Sequence, residues 1–344
     1  METNGVLLHK RIRSVDIAKG IGIICIILGH LNNSSINRVV FTFHVPLFYL
    51  ITGYFINEKG TVAEFIKKKR KTLLIPYCIT CCLIILFGTL KGCIMGKPFE
   101  EFKEWVIASI YGAGGTLSRP FHIRGIGAIW FLLASFWGSV CLRFSLKFHL
   151  WKRIVFIVAL FLFGVVTKKW IWLPFSLQEG ACAAFFLYLG FLYHKGEKKL
   201  NELPSEIKCF NLLWACITWV FFIKDFQSFW LVQCDFGRGA VDIFGSICAC
   251  SVILLLSRII DRKTALTASF LSYCGKYSLL VLSVHILELN LFPWHAILEK
   301  LISMGLPASF ELVCIIAGKL TLDLFGAWLL SKLRFARKVF GYSE

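Results

Sequence analysis

The sequence predicts an all-α, polytopic integral membrane protein with about ten transmembrane helices. Of its 344 residues, 57% are hydrophobic and 15% are aromatic, and the mean hydropathy is +0.72. A soluble chain of this length has no core that could bury so much apolar surface, so much of it must face lipid. Apolar runs recur along the whole chain with short loops between them. We therefore expect one membrane domain over residues 1–344.

Ten apolar runs predict the individual spans. They lie near residues 14–31, 39–57, 72–90, 125–142, 154–170, 176–193, 209–224, 238–257, 268–289 and 308–331. A helix rises 1.5 Å per residue, so about 20 residues cross the hydrocarbon core of a bilayer. An even number of spans places both termini on the same side of the membrane.

The distribution of positive charge predicts which side that is. Lys and Arg number 38 against 20 Asp and Glu. If the N-terminus is cytoplasmic, the inner segments hold 24 of these cations and the outer segments hold 11, as the positive-inside rule requires. This bias explains the basic balance without nucleic acid, which we do not expect as a partner. The five consecutive cations from Lys67 to Lys71 would face anionic membrane lipids or a phosphate-rich ligand.

The 14 cysteines fall mostly inside apolar runs, where they are typical packing residues. They show no paired spacing beside histidines of the kind that binds a metal ion, so we predict no metal. Only Cys93 and Cys234 lie in predicted outer loops. The sequence leaves open whether these two form a disulfide or remain free thiols.

The first span carries ionisable residues, which are costly in hydrocarbon and therefore indicate a polar cavity. It reads RSVDIAKGIGIICIILGH, with Arg13, Asp16 and Lys19 near its start and His30 at its end. Lys19 and His30 are eleven residues apart, so they share one helix face at a separation of about 16 Å. This spacing suits the two ends of one elongated ligand. The alternative for Asp16 is a salt-bridge cluster at the helix end.

The second span, FTFHVPLFYLITGYF, returns from outside and places His44 at a depth similar to that of His30. Two imidazoles could then face one cavity. The alternative for His44 is a hydrogen-bonded structural histidine. Asn33 and other polar residues in the intervening turn could contact a substrate.

Two further polar groups lie late in the chain. His285, with Glu288 three residues later, marks the outer end of the ninth span, and Lys319 and Asp323 are one turn apart on the tenth. Either pair could be structural or could line the same cavity as His30.

The outer stretch over residues 91–124 is long and ends in a basic group that includes Arg124. It is either a surface loop or an acceptor-binding element. We take Asn33, His285 and Arg124 as candidate substrate-binding residues.

The most specific pattern lies in the first 80 residues. It comprises Arg13, Asp16, Lys19-Gly20, Gly29-His30, FHVPLFYLITGYF and LLIPY, followed later by IWFLLASF and YSLLVLSVH. Together these resemble the membrane-bound acyltransferase family 3, especially its sugar O-acetyltransferase branch with fucose 4-O-acetylase-like members. The resemblance implies a bacterial inner-membrane enzyme. It would move an acyl group, usually acetyl from cytoplasmic acetyl-CoA, to a hydroxyl of a cell-surface polysaccharide or lipid-linked sugar.

The resemblance also implies roles for individual residues. The basic residue and histidine of the family correspond to Lys19 and His30, and its FHxPLF element supplies His44. Its paired arginines are only half matched, by Arg70, with Leu73 in the second place. We predict that His30 is the general base and that His44 orients the acceptor or stabilises the oxyanion, with an acyl-histidine as the alternative route. The predicted catalytic residues are His30, His44 and Asp16. The predicted acyl-CoA-binding residues are Arg13, Lys19, Lys69 and Arg70.

Two other classes of function remain open at this stage. A transporter or flippase of a lipid-linked sugar would also need many helices with intramembrane charges, and a non-catalytic scaffold would tolerate loss of His30 and Lys19. The sequence does not determine the acceptor, the choice between acetyl and a larger acyl group such as succinyl, or whether the chain forms a homo-oligomer.

Overall fold

The computed structural model describes residues 11–342, which are predominantly helical and contain no β-strand. Two isolated β-bridges join Leu117 to Ile123 and Trp230 to Asp235. The helices are α1 (Arg13–Gly29), α2 (Ser34–Val40), α3 (His44–Tyr54), α4 (Val62–Lys69), α5 (Ile75–Ile94), α6 (Pro98–Tyr111), α7 (Trp130–Ser145), α8 (Leu150–Thr167), α9 (Leu177–Glu202), α10 (Ser205–Lys224), α11 (Ala240–Lys263), α12 (Ala265–Lys276), α13 (Ser278–Leu291), α14 (Trp294–Ser303), α15 (Ala308–Lys332) and α16 (Arg334–Val339). A π-helical segment, Arg70–Leu74, joins α4 to α5.

The prediction of an all-helical, multi-pass membrane protein is confirmed, but the count of ten spans is not. Over residues 11–342, six helical stretches are long and apolar enough to cross a membrane, and a seventh is formed if α12 and α13, bent by 71°, count as one. The six are Ser34–Tyr54, Val62–Ile94, Leu150–Thr167, Ser205–Lys224, Ala240–Lys263 and Ala308–Lys332.

A helix nevertheless stands at each of the ten predicted positions, and burial explains the difference in count. Helices α1 and α7 have only 17 and 16 residues, and the second half of α9 is rich in Lys and Glu. Helix α1, helix α7 and the first half of α9 are largely buried, so neighbouring helices rather than lipid surround them. A helix enclosed in this way needs neither full length nor an apolar surface on every side. By contrast, α8 and α10 bury almost none of their side chains.

Helix α1 is packed most closely against α12. A Cβ atom on Gly20 would lie 2.0 Å from the carbonyl oxygen of Leu271, and one on Gly275 would lie 1.7 Å from that of Asp16. Only glycine allows two backbones to approach this closely. The contact fixes α12 beside the part of α1 that carries Asp16 and Lys19.

Two loops, residues 112–129 and 225–239, cover the other end of α1. They meet where Gly114 approaches the side chain of Val232. The ammonium group of Lys168 holds the second loop by donating to the carbonyls of Gln233 and Cys234, at 3.0 and 2.9 Å. The loops therefore form a fixed roof over the residues that end α1 and begin α3.

The cysteines are all free in the structure. Cys93 is exposed near the end of α5, whereas Cys234 is buried within the loop over residues 225–239.

Candidate active site

Two histidines face one cavity beneath the roof loops. His30 caps the end of α1 and His44 begins α3, and both line a cavity of about 340 Å³, here called the histidine cavity. Most of the remaining lining is apolar or aromatic. It comprises Ile26, Gly29, Asn32, Asn37, Phe41, Val45, Gly114, Ala128, Trp130, Phe131, Phe229, Trp230, Leu231, Val232 and Leu289.

Hydrogen bonds fix the protonation of both rings. Nδ1 of His30 lies 2.8 Å from the carbonyl oxygen of Ile26, and Nδ1 of His44 lies 2.6 Å from that of Val40. A carbonyl oxygen can only accept, so each Nδ1 carries a hydrogen. In a neutral imidazole the other nitrogen then has the lone pair. Each Nε2 is therefore the proton-accepting atom left for the cavity.

His285 lies directly behind His30 and is completely buried. The two rings meet edge to face with centroids 5.0 Å apart, and Nε2 of His285 is 3.3 Å from Nδ1 of His30. Because Nδ1 of His30 is the donor, Nε2 of His285 accepts and its own hydrogen is on Nδ1. That Nδ1 lies 2.8 Å from Oδ2 of Asp323 and 3.1 Å from Oε2 of Glu288. The same assignment of donors and acceptors therefore fits every hydrogen bond from the carbonyl of Ile26 to the carboxylate of Asp323.

Helices α13 and α15 assemble four buried polar side chains behind His30. We call His285, Glu288, Lys319 and Asp323 the buried acid–base cluster. The ammonium of Lys319 donates to Oε1 of Glu288 at 2.7 Å. With both carboxyl groups ionised and Lys319 protonated, the cluster carries one net negative charge, which an imidazolium at His285 or His30 would neutralise.

The start of α14 closes this cluster. The indole of Trp294 donates to the carboxylate of Glu288, and its ring lies 4.8 Å from the ammonium nitrogen of Lys319. The indole thereby shields both charges from the surroundings, which strengthens their interaction.

Three ligand atoms of the cluster, one each from His285, Glu288 and Asp323, lie within 4.8 Å of one another and could hold a metal ion. Lys319 already provides a cation against Glu288, and Asp323 is bonded to the protonated nitrogen of His285. These contacts favour a proton-holding cluster over a metal centre.

A second charged group lies at the other end of α1. We call Arg11, Arg13, Asp16, Lys19 and Lys276 the basic cluster. Four of these residues line an open cavity of about 420 Å³, together with Ser269, Ser272 and Tyr273. Arg11 pairs with Asp16.

The cations of this cluster outnumber its acids. Arg13 donates to the hydroxyl of Ser269 at 3.0 Å and lies 3.5 Å from Asp261. Lys19 is half-buried and interacts electrostatically with Asp16, Arg11 and Lys69. The excess of positive charge suits a ligand with several negative charges.

Between the two sites, α1 is a continuous helix, so Lys19 and His30 stand about 16 Å apart along its axis. The ring of Phe48 covers Gly22 on the way, since a Cβ there would lie 2.8 Å from it. The lining of the histidine cavity on α1 begins at Ile26. Lys69 ends α4, and Arg70 begins the π-helical segment.

The structure places the three candidate substrate-binding residues outside the lining of the histidine cavity. Asn33 accepts from the backbone of Ile36 at 3.1 Å and so caps α2. Arg124 donates to Glu101 and Glu104 and holds its loop against α6. His285 is buried behind His30. Each of the three thus has a partner in the fold.

Two residues of the cavity lining, Asn37 and Trp230, were not among the candidate site residues chosen from the sequence. Within residues 11–342 the buried side-chain oxygen of Asn37 has no hydrogen-bond partner, and Trp230 comes from a loop almost 200 positions away. The polar turn that follows His30 was the signal for Asn37. No local pattern marks Trp230.

The fold and the site together define a multi-pass membrane protein with an acid–base centre beside a cavity. The acyltransferase 3 family model, described as an acyltransferase domain, matches residues 12–320. The chain belongs to this family, and it is a membrane acyltransferase. No curated protein and no solved structure is significantly similar to it.

Proposed function

We propose that this protein transfers an acyl group, acetyl in the first instance, from acyl-CoA to a hydroxyl of a cell-surface polysaccharide or lipid-linked sugar. We place it in the bacterial inner membrane with both termini in the cytoplasm. One observation carries the proposal: Nδ1 of His30 is held by the carbonyl of Ile26, which leaves Nε2 as a base facing a cavity. Membership of the acyltransferase 3 family supports the type of reaction.

In this reaction His30 moves one proton twice. Its Nε2 takes the proton from the acceptor hydroxyl as the oxygen attacks the thioester carbonyl carbon. The C–S bond then breaks, the ester is formed, and the same proton passes from His30 to the departing thiolate of CoA. The imidazole returns to its starting state, so no covalent acyl-enzyme is needed.

The buried acid–base cluster stabilises the intermediate charge. When His30 is protonated, its single Nδ1–H is still shared between the carbonyl of Ile26 and Nε2 of His285. His285 is hydrogen-bonded in turn to Asp323 and Glu288. Their two negative charges exceed the single positive charge of Lys319 by one. Fixed groups of this kind lower the energy of the charged state without having to reorganise. Asp323 also holds His285 in the tautomer that accepts from His30.

The hydrogen bond of His44 favours one of its two predicted roles. With its hydrogen on Nδ1 and bound to Val40, a neutral His44 offers only a lone pair to the cavity. It can accept from an acceptor hydroxyl but cannot donate to an oxyanion. We therefore assign it to orientation of the acceptor.

The basic cluster is the proposed site for the phosphates of CoA. Arg13 and Lys276 line the open cavity, and Lys19 stands on the same helix as His30. The extended arm of the donor would follow α1 over about 16 Å and pass the ring of Phe48. Lys69 and Arg70, where α4 passes into the π-helical segment, would contribute further positive charge.

The test uses the purified full-length protein in lipid nanodiscs. Labelled acetyl-CoA is supplied with an extract of bacterial envelope glycans, and both free thiol and labelled ester are measured. We expect the wild type to form both products and His30→Ala to form neither. His149→Ala removes an exposed histidine just before α8, outside the lining of the histidine cavity, and should leave both rates unchanged.

Thermal stability and acyl-CoA binding would be measured for all three proteins. A folded His30→Ala variant that still forms ester would rule out His30 as the base. Wild-type protein that exports a labelled lipid-linked sugar, but consumes no acyl-CoA, would instead favour a transporter.

A further inference from the structure

A second, more open cavity adjoins the histidine cavity. It has a volume of about 420 Å³ and lies between α2 and the loop over residues 225–239. We call it the Arg38 cavity. It shares Asn37, Phe41 and Trp230 with the histidine cavity, so the two cavities are direct neighbours.

The shared wall is suited to a sugar ring. The indole of Trp230 is 41% exposed, and its ring centroid lies 6.4 Å from that of Phe41. Broad aromatic faces pack against the C–H face of a sugar, while a few polar groups fix its orientation. The unpartnered oxygen of Asn37 and the exposed amide of Gln227 provide such groups.

The charge in the lining of the Arg38 cavity is positive. Among the described residues, 11–342, Arg38 is the only charged one that lines the Arg38 cavity, and none of those lining either cavity carries a carboxylate. Its guanidinium is exposed and donates to the carbonyl of Lys224 at 3.1 Å, and the described part of the chain gives it no ion pair. Its other N–H groups are therefore available for an anion, for which arginine is the preferred partner.

From these contacts we propose that the acceptor is an acidic sugar. Its ring lies on Trp230, its reacting hydroxyl reaches His30 and His44, and its carboxylate or phosphate binds Arg38. This inference rests on the proposed function, because it names the substrate class of the same site. A uronic acid and a sugar phosphate present the same chemistry to Arg38, and the experiment separates them.

The test compares methyl glucoside, methyl glucuronide and glucose 1-phosphate. Binding to the protein in nanodiscs is measured by calorimetry without acyl-CoA, and acetyl transfer is measured separately. We expect one or both acidic probes to bind at least about tenfold more tightly than the neutral one, which is a typical effect of one charged contact. Arg38→Gln should remove this preference, and Arg38→Lys should restore part of it.

Lys208→Gln is the control, because Lys208 is also an exposed cation that donates to a single backbone carbonyl, that of Asn201, and it lies outside the lining of both cavities. It should leave all binding unchanged. Equal binding of the three probes, binding of none, or a preference that survives in Arg38→Gln would overturn the inference. If the acidic preference depends on Arg38 but no probe is acetylated, the inference stands and the proposed function fails.

Discussion

The two charged groups along α1 differ in exposure and in balance. In the basic cluster the side chains of Arg11 and Arg13 are almost half exposed, and cations exceed acids. In the buried acid–base cluster no side chain is more than 5% exposed. There the acids exceed the cation by one charge.

This difference in exposure suits the two clusters to different roles, one to ligand binding and the other to acid–base chemistry. Charges open to water are screened and exchange partners easily, as the reversible binding of an anionic donor requires. Charges sealed from water keep fixed partners, and breaking one pair is costly. An excess of one negative charge beside two histidines stabilises one proton on them. We therefore expect the basic cluster to govern the affinity for the donor and the buried acid–base cluster to govern the rate of acyl transfer.

After the loss of His30 itself, the largest effect should come from Asp323→Asn, which keeps the shape of the side chain but removes its charge. His285 then loses the partner that fixes its tautomer, and the proton on His30 loses a counter-ion. We expect kcat to fall by roughly 10²- to 10⁴-fold, as when an orienting carboxylate is neutralised in other acid–base sites. The KM for acyl-CoA should stay within about twofold of the wild type. Initial rates over a series of acyl-CoA concentrations measure both.

Glu299→Gln is the control for Asp323→Asn. Glu299 also pairs with a histidine, His295, but both side chains are mostly exposed. This variant should keep full activity. A folded Asp323→Asn variant with normal kcat would show that the buried cluster has no part in the chemistry.

The next largest effect should be on stability. Lys319→Met fills the same volume without the charge, so two buried carboxylates face each other without a cation. Losing one partner of a buried pair costs about 3 to 5 kcal/mol. The double variant Glu288→Gln and Lys319→Met should recover most of that loss. Unfolding in a mild detergent, followed by circular dichroism, measures both; equal stability of the single and double variants would contradict the assignment.

Part of this arrangement could be predicted from the sequence because it is local. Eleven residues on one helix fix the distance between Lys19 and His30, and one helical turn brings Lys319 near Asp323. A short turn likewise brings His44 opposite His30. These relations depend only on helix geometry and short connections.

The remainder depends on packing between distant segments. Asp323 meets His285 only because α13 lies against α15, and the 71° bend between α12 and α13 is unmarked by proline. Hydropathy also does not reveal that α1 and α7 are short, because neighbouring helices rather than lipid surround them. The family assignment was confirmed. The sugar O-acetyltransferase branch stays a prediction.

The smallest effect should come from a substitution in the basic cluster. Arg13→Gln removes one of several cations near the proposed phosphate site. We expect the KM for acetyl-CoA to rise about tenfold, with kcat nearly unchanged, because one charge-assisted contact to a phosphate contributes about 1.4 kcal/mol. The effect should shrink at high salt, and it should vanish for acetyl-pantetheine, which lacks the nucleotide phosphates. Lys199→Gln changes an exposed lysine outside the lining of this cavity and serves as the control. If Arg13→Gln lowers kcat instead, or acts equally on acetyl-pantetheine, the division between a binding cluster and a chemical cluster is wrong.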